Sequence, residues 1–302
     1  MARRILTIVV GLIVATQLSS ARVAVAQGEF EELLGPNSDF PDSNLVMPWT
    51  AQGSRVTFLS ISNLGERGPG DAPIPLKWAF YAASGELILD VERYTLGEGG
   101  TDIVDVTAVG ARGPDGVLGP TTNLGGQFGF VVVSQPEGLP VLIGNWTIAD
   151  TEANSGYGGN ASGLGYVGLL DFNAYLFGTS FAPSSLGDNL LIIVGVDDLG
   201  PVPTSLTDGE APSPGETIFA LTISLHSNGA PGGILASVDI PVEGSAFASS
   251  LQELFPGFDL DSSVTIAVTP ITAGVSILGY YGQALAQFGA GQTLRTDIPL
   301  VQ

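Results

Sequence analysis

Thr217-Ile218-Phe219-Ala220-Leu221-Thr222-Ile223-Ser224-Leu225-His226-Ser227-Asn228, then Gly229, then Ile234-Leu235-Ala236-Ser237-Val238-Asp239-Ile240-Pro241-Val242: this stretch decides the fold class. Phe219, Leu221, Ile223 and Leu225 alternate with Thr222, Ser224 and His226. Ile234, Ala236, Val238, Ile240 and Val242 alternate with Ser237 and Asp239. A period of two with one polar face marks half-buried antiparallel strands, and Asn228-Gly229 between them is a hairpin signal. The pattern predicts a long hairpin laid on one face of a β-sandwich core.

The same hairpin occurs earlier, as residues 76–81, the turn Ser84-Gly85, and residues 86–94. Its surroundings match as well. Phe58-Leu-Ser-Ile-Ser-Asn-Leu-Gly65 answers Leu191-Ile-Ile-Val-Gly-Val-Asp-Asp-Leu-Gly200, each an apolar strand ending in a polar turn and Leu-Gly. Short apolar strands precede them at 45–49 and 175–181. Gly129-Phe-Val-Val-Val-Ser134 answers Val264-Thr-Ile-Ala-Val-Thr269, and residues 141–148 answer 275–281. Phe58 to Leu191, Val131 to Ile266 and Ile143 to Ile277 give spacings of 133, 135 and 134. Three near-equal spacings in one order predict two tandem copies of a single β module.

The fold expected is therefore all-β, with two tandem antiparallel sandwich modules at 27–150 and 169–302. Residues 151–168, with Gly156, Gly158, Gly159, Gly163, Gly165 and Gly168, read as a glycine-rich linker or loop. Residues 130–133 are apolar on both faces, as in a central strand or one covered by the neighbouring module. Helical signal is limited to short turns at 29–34 and 249–255.

Leu254-Phe255-Pro256 followed by Ser262-Ser263-Val264-Thr265-Ile266 resembles the small immunoglobulin-like sandwich modules of many bacterial secreted proteins. The first copy lacks the Leu-Phe-Pro element. The resemblance implies an extracellular setting and a scaffolding, spacing or adhesive role, and it brings no catalytic residue.

Residues 1–26 read as a Sec-type signal peptide. Arg3 and Arg4 precede a mostly apolar stretch from Ile5 to Leu18, and Ala24-Val25-Ala26 gives the small-x-small cleavage pattern before Gln27. The apolar run is shorter than the roughly 20 residues that a bilayer needs. The expected location is secreted or periplasmic.

The chain has 42 Gly and 20 Pro, which disfavour long helices, and its 44% of hydrophobic residues is too many for a disordered chain. Cys is absent, so neither a disulfide framework nor a lipoprotein anchor can form. The leader holds Arg3, Arg4 and Arg22 of the nine basic residues and no acid. Six bases then face thirty acids in the mature chain, a formal charge of −24. Such a surface repels nucleic acid and anionic lipid and attracts cations.

Chemistry is hard to find. His226 is the single histidine, placed by alternation on a polar strand face with no partner visible in the sequence. No Gly-x-Ser-x-Gly elbow, His-Glu-x-x-His or P-loop occurs. Calcium is the one cofactor to weigh, because it takes converging carboxylate and carbonyl oxygens. Asp197 and Asp198 at a strand end, and Asp259 with Asp261 in Gly257-Phe-Asp-Leu-Asp-Ser-Ser263, are its candidate ligands. Trp49, Trp78 and Trp146 all fall in the first module. Trp78 is in phase with Leu76 and Phe80, which favours the core, whereas Tyr157, Tyr166, Tyr280 and Tyr281 flank glycines as exposed aromatics would. Asn145-Trp-Thr147 and Asn160-Ala-Ser162 fit the glycosylation sequon.

The leading reading is a non-enzymatic secreted or surface protein, structural or adhesive, whose partners are a second copy or a cell-surface or matrix polysaccharide. A polysaccharide-binding module assisted by calcium comes second, and a carboxylate-dependent hydrolase third. An outer-membrane barrel comes last, since the repeat divides the strands into two equal sets.

Overall fold

The computed structural model describes residues 44–63, 73–95, 100–135, 142–152, 155–163, 172–178, 186–197, 200–201, 217–227, 233–257, 263–285 and 297–301. The chain is all-β. Its first half runs through β1 (Asn44–Thr50), β2 (Arg55–Asn63), β3 (Ile74–Ala82), β4 (Leu87–Thr95), β5 (Thr101–Asp105) and β6 (Val109–Arg112). It continues through β7 (Leu118–Thr122), β8 (Phe128–Ser134), β9 (Leu142–Asp150), β10 (Ser155–Asn160) and β11 (Ser162–Gly163). The second half holds β12 (Phe172–Gly178), β13 (Leu186–Asp197), β14 (Gly200–Pro201), β15 (Phe219–Ser227), β16 (Ile234–Val242) and β17 (Ala246–Ser249). A single helical turn, α1 (Leu251–Leu254), leads to β18 (Val264–Pro270), β19 (Ser276–Leu285) and β20 (Asp297–Val301).

The hairpin quoted first forms as β15 and β16, in register from Phe219 and Val242 to His226 and Ile234 with one shift near its end. In the first half the sheets run β11-β1-β8-β3-β4-β6-β7 and β10-β9-β2-β5. In the second they run β16-β15-β18-β12-β20, with β13 bonded to β19 on one side and to β14 and β17 on the other. The order β16-β15-β18-β12-β20 follows β4-β3-β8-β1-β11 strand for strand, and β19-β13-β17 follows β9-β2-β5. Neighbouring strands are antiparallel, except that β4 and β6 meet in parallel at Arg93 and Arg112.

Paired residues of antiparallel strands share a face. Leu45, Val133 and Trp78 make one inward row, and Met47, Val131 and Phe80 the next. They join Leu59, Ile61 and Trp146 of the four-stranded sheet in one apolar cluster. The other face of the large sheet carries Val46, Phe130 and Val132 and is apolar too. Ile192, Val194, Val196, Leu278 and Tyr280 of the second half enter the same cluster. A separate core gathers Phe177, Leu191, Ile193, Leu221, Ile223, Ile266 and Ile277. Central strand β8 is therefore buried on both faces, as its uninterrupted apolar run predicts.

β13 is doubly buried as well. Residues 190–196 are all inaccessible, with Leu191 and Ile193 facing one core and Ile192 and Val194 the other. This shifts the expected match of Phe58 to Leu191. The two residues lie in corresponding strands, but Phe58 is 41% exposed and Leu191 is fully buried. Leu59 is the residue that faces the core at that point. A one-residue slip exchanges faces, and a strand apolar on both sides offers no alternation to prevent it.

The glycine-rich stretch is partly strand. β10 pairs with β9 and β11 with β1, so part of 151–168 belongs to the first half's sheets. Gly158 makes this possible, because a Cβ there would overlap the carbonyl oxygen of Trp146 on β9. α1 follows the expected turn at 249–255. Ser250 and Glu253 form a reciprocal capping box, and Asn189 of β13 anchors the turn by accepting from Leu251 N at 2.7 Å.

Candidate functional site

Among the described residues, the one buried charge cluster links β4, β5 and β6. Asp102 is fully buried in phase with Val104, and Arg93 is 3% exposed in phase with Val91 and Thr95. Arg93 Nε donates to Asp102 Oδ2 at 2.6 Å, and Arg93 Nη2 donates to Oδ1 at 2.7 Å. Arg112 Nη1 adds a bond to Oδ1 at 2.9 Å, and Arg93 Nη1 donates to the Gly110 carbonyl. The Arg93 guanidinium also lies 6.0 Å from the centroid of the Trp78 ring. The bidentate fork saturates the carboxylate. This geometry joins the two sheets of the first half where β4 and β5 come together, and its donors are spent on that join. The inward phase of Arg93 and Asp102 among apolar neighbours was the signal that sequence reasoning passed over.

His226 has a partner after all. Its Nε2 lies 2.8 Å from Ser224 Oγ, two residues back on the same face of β15. On the same strand face, four residues back, Thr222 Oγ1 donates to Asp239 Oδ1 at 2.8 Å. Among the described residues no carboxylate pairs with the imidazole.

The tryptophans are committed to packing. Trp49 and Trp78 are fully buried and Trp146 is 3% exposed. Trp78 stacks on Phe80, and Trp49 meets Phe80 edge-on. Tyr157, Tyr280 and Tyr281, whose flanking glycines suggest exposure, are buried as well: Tyr157 and Tyr280 where β10 and β19 bring the halves together, and Tyr281 in the second half's own core beside Phe177. Tyr280 presents its ring edge-on to Trp146 at 6.0 Å and donates its hydroxyl to the Val46 carbonyl at 3.0 Å. Tyr166 lies outside the described residues.

The calcium candidates Asp198, Asp259 and Asp261 also lie outside the described residues, and of Asp197 only the backbone at the end of β13 is described. Asn145 is exposed in mid-strand on β9, while Ser162 of the second sequon is buried. No helix among the described residues is long and apolar enough to cross a membrane. No protein-family model matches this chain, and no curated protein sequence is similar to it.

Proposed function

We propose that the chain is exported through residues 1–26 and serves as a non-enzymatic structural or adhesive protein, built from two copies of one immunoglobulin-like sandwich module. The matching strand orders of the two halves support the two-copy reading. The observation that carries the functional reading is where the reactive and aromatic groups go. Tryptophans, buried tyrosines and the arginine–aspartate cluster are spent on packing, and the second module's sheet is laid against the first across a continuous core. A body of this kind holds its two ends at a fixed distance and angle, as a spacer or adhesive unit requires.

The test has two parts. Intact mass of material recovered outside the cytoplasm is expected to give a chain starting at Gln27, and retention of Met1 would remove the export reading. Incubation of that mature protein with polysaccharide, peptide and ester substrates is expected to give no product. Turnover that disappears on replacing one carboxylate, or on His226→Ala, would overturn the non-enzymatic reading.

A further inference from the structure

Register places one set of side chains on the outer face of the β10-β9-β2-β5 sheet. Thr147, Phe58 and Asp105 stand in one row across the strands, Asn145, Ser60 and Ile103 in the next, and Ser62 beside Thr101 in a third. Thr101, Asn145 and Thr147 are exposed, Phe58 is 41% exposed and Ile103 is 63% exposed.

Two features set this face apart. The first is charge. The mature chain carries thirty acids, yet the one ionisable side chain among the described residues of this face is Asp105, whose Oδ1 is held by the Thr107 backbone N–H at 2.8 Å and its hydroxyl at 2.7 Å. The second is chemistry. The face offers short hydroxyl and amide groups that lose little rotamer freedom, with one exposed aromatic ring among them. The Ser62 and Thr101 hydroxyls already orient one another at 2.8 Å. The corresponding sheet of the second half presents Ile192, Val194 and Leu278 there and is buried against the first half.

We propose that this face is the adhesive contact and that its partner is a neutral polysaccharide. The proposal rests on the adhesive reading given above and names the partner for it. A neutral glycan offers hydroxyls to Asn145, Ser60, Ser62, Thr101 and Thr147, and the apolar face of a sugar ring to Phe58. An anionic polymer is excluded by the field of the remaining surface. A protein partner is disfavoured, since the Trp, Tyr and Arg anchors that dominate protein interfaces are missing among the described residues of the face.

Native affinity electrophoresis of the mature protein tests the proposal, in gels containing a soluble neutral glucan, a neutral galactomannan, or alginate as the anionic control. Retardation by a neutral glycan and none by alginate is expected. Phe58→Ala should weaken the retardation about tenfold, the equivalent of one lost ring contact. Ser60→Asp with Asn145→Asp should abolish it, with the melting temperature of both variants holding to within a few degrees. No retardation by either neutral glycan, equal retardation by alginate, or retardation untouched by these variants would each overturn the proposal. So would a dimer, seen by light scattering, that Phe58→Ala dissolves, since the face would then belong to a second copy. Products assayed in the same incubations report separately on the non-enzymatic reading.

Discussion

The hydroxyl of Tyr280 on β19 donates to the backbone carbonyl of Val46 on β1, 3.0 Å away and 234 positions earlier, and both residues are buried. The Trp146 ring meets Tyr280 edge-on at 88°. A polar tie enclosed in a shared apolar cluster couples the halves. They are therefore expected to unfold together, although their strand orders suggest separate modules.

All three tryptophans lie in the first half, so their fluorescence reports that half, while far-UV circular dichroism reports both. Urea unfolding curves from the two probes should coincide. Tyr280→Phe should lower stability by about 1 kcal/mol through the lost hydrogen bond, and Tyr280→Ala by about 3–5 kcal/mol through the added cavity. Separate transitions would mean that the halves are independent.

Asp102→Ala leaves Arg93 buried without its counter-charge, and a loss of about 3–5 kcal/mol is expected. Arg93→Met combined with Asp102→Leu removes both charges and should recover most of that loss. Lys77→Ala breaks a surface pair at 3.0 Å, with partners 60% and 40% exposed, and should cost less than about 1 kcal/mol. Shifts in the denaturant midpoint at constant slope measure all three.

A Cβ at Gly282 would overlap the ring of Tyr157, which is itself buried between the halves. Gly282→Ala should therefore destabilise by about 1–3 kcal/mol. Tyr157→Leu in the same chain should return part of it, because the two changes share one space. Strict additivity in the double-mutant cycle would place the cost elsewhere.

The alternation at 217–242 was enough to read the long hairpin and the class of the fold, because each strand has one wet and one dry face. The same logic failed where both faces are dry. Across residues 190–196 of β13 no polar residue marks a side, so Phe58 was set against Leu191 although Leu59 holds the inward place. The glycines at 156, 158 and 159 looked like a linker because their side-chain pattern is silent, yet glycine is what lets β10 close on β9. Arg93 and Asp102 were legible one at a time as inward-phase charges. Their pairing was not, because a separation of nine residues crosses from one sheet to the other. The outward face around Phe58 and Asn145 required the register itself, since its members come from three separate strands.

Calcium is the last variable to test. A chain of formal charge −21 holds its acids apart at a cost, and a cation that binds the native state alone stabilises it by mass action. At a concentration about one hundred times the dissociation constant the gain is about 2.7 kcal/mol. For a chain of this size that raises the melting temperature by several degrees. Asp197 is the last residue of β13, whereas α1, which precedes Asp259 and Asp261 in the sequence, is anchored by Asn189 near the other end of that strand, so the two acid pairs are tested separately. Calcium at fixed ionic strength should raise the melting temperature, and a chelator should reverse it, whereas general screening contributes equally to both samples. Magnesium should act more weakly, because it keeps its water and demands a stricter geometry. Asp259→Asn with Asp261→Asn should remove the calcium shift while leaving the chelated melting temperature near that of the parent. Identical melts with and without calcium would discard the site, and a shift that survives the double variant would move it to other acids.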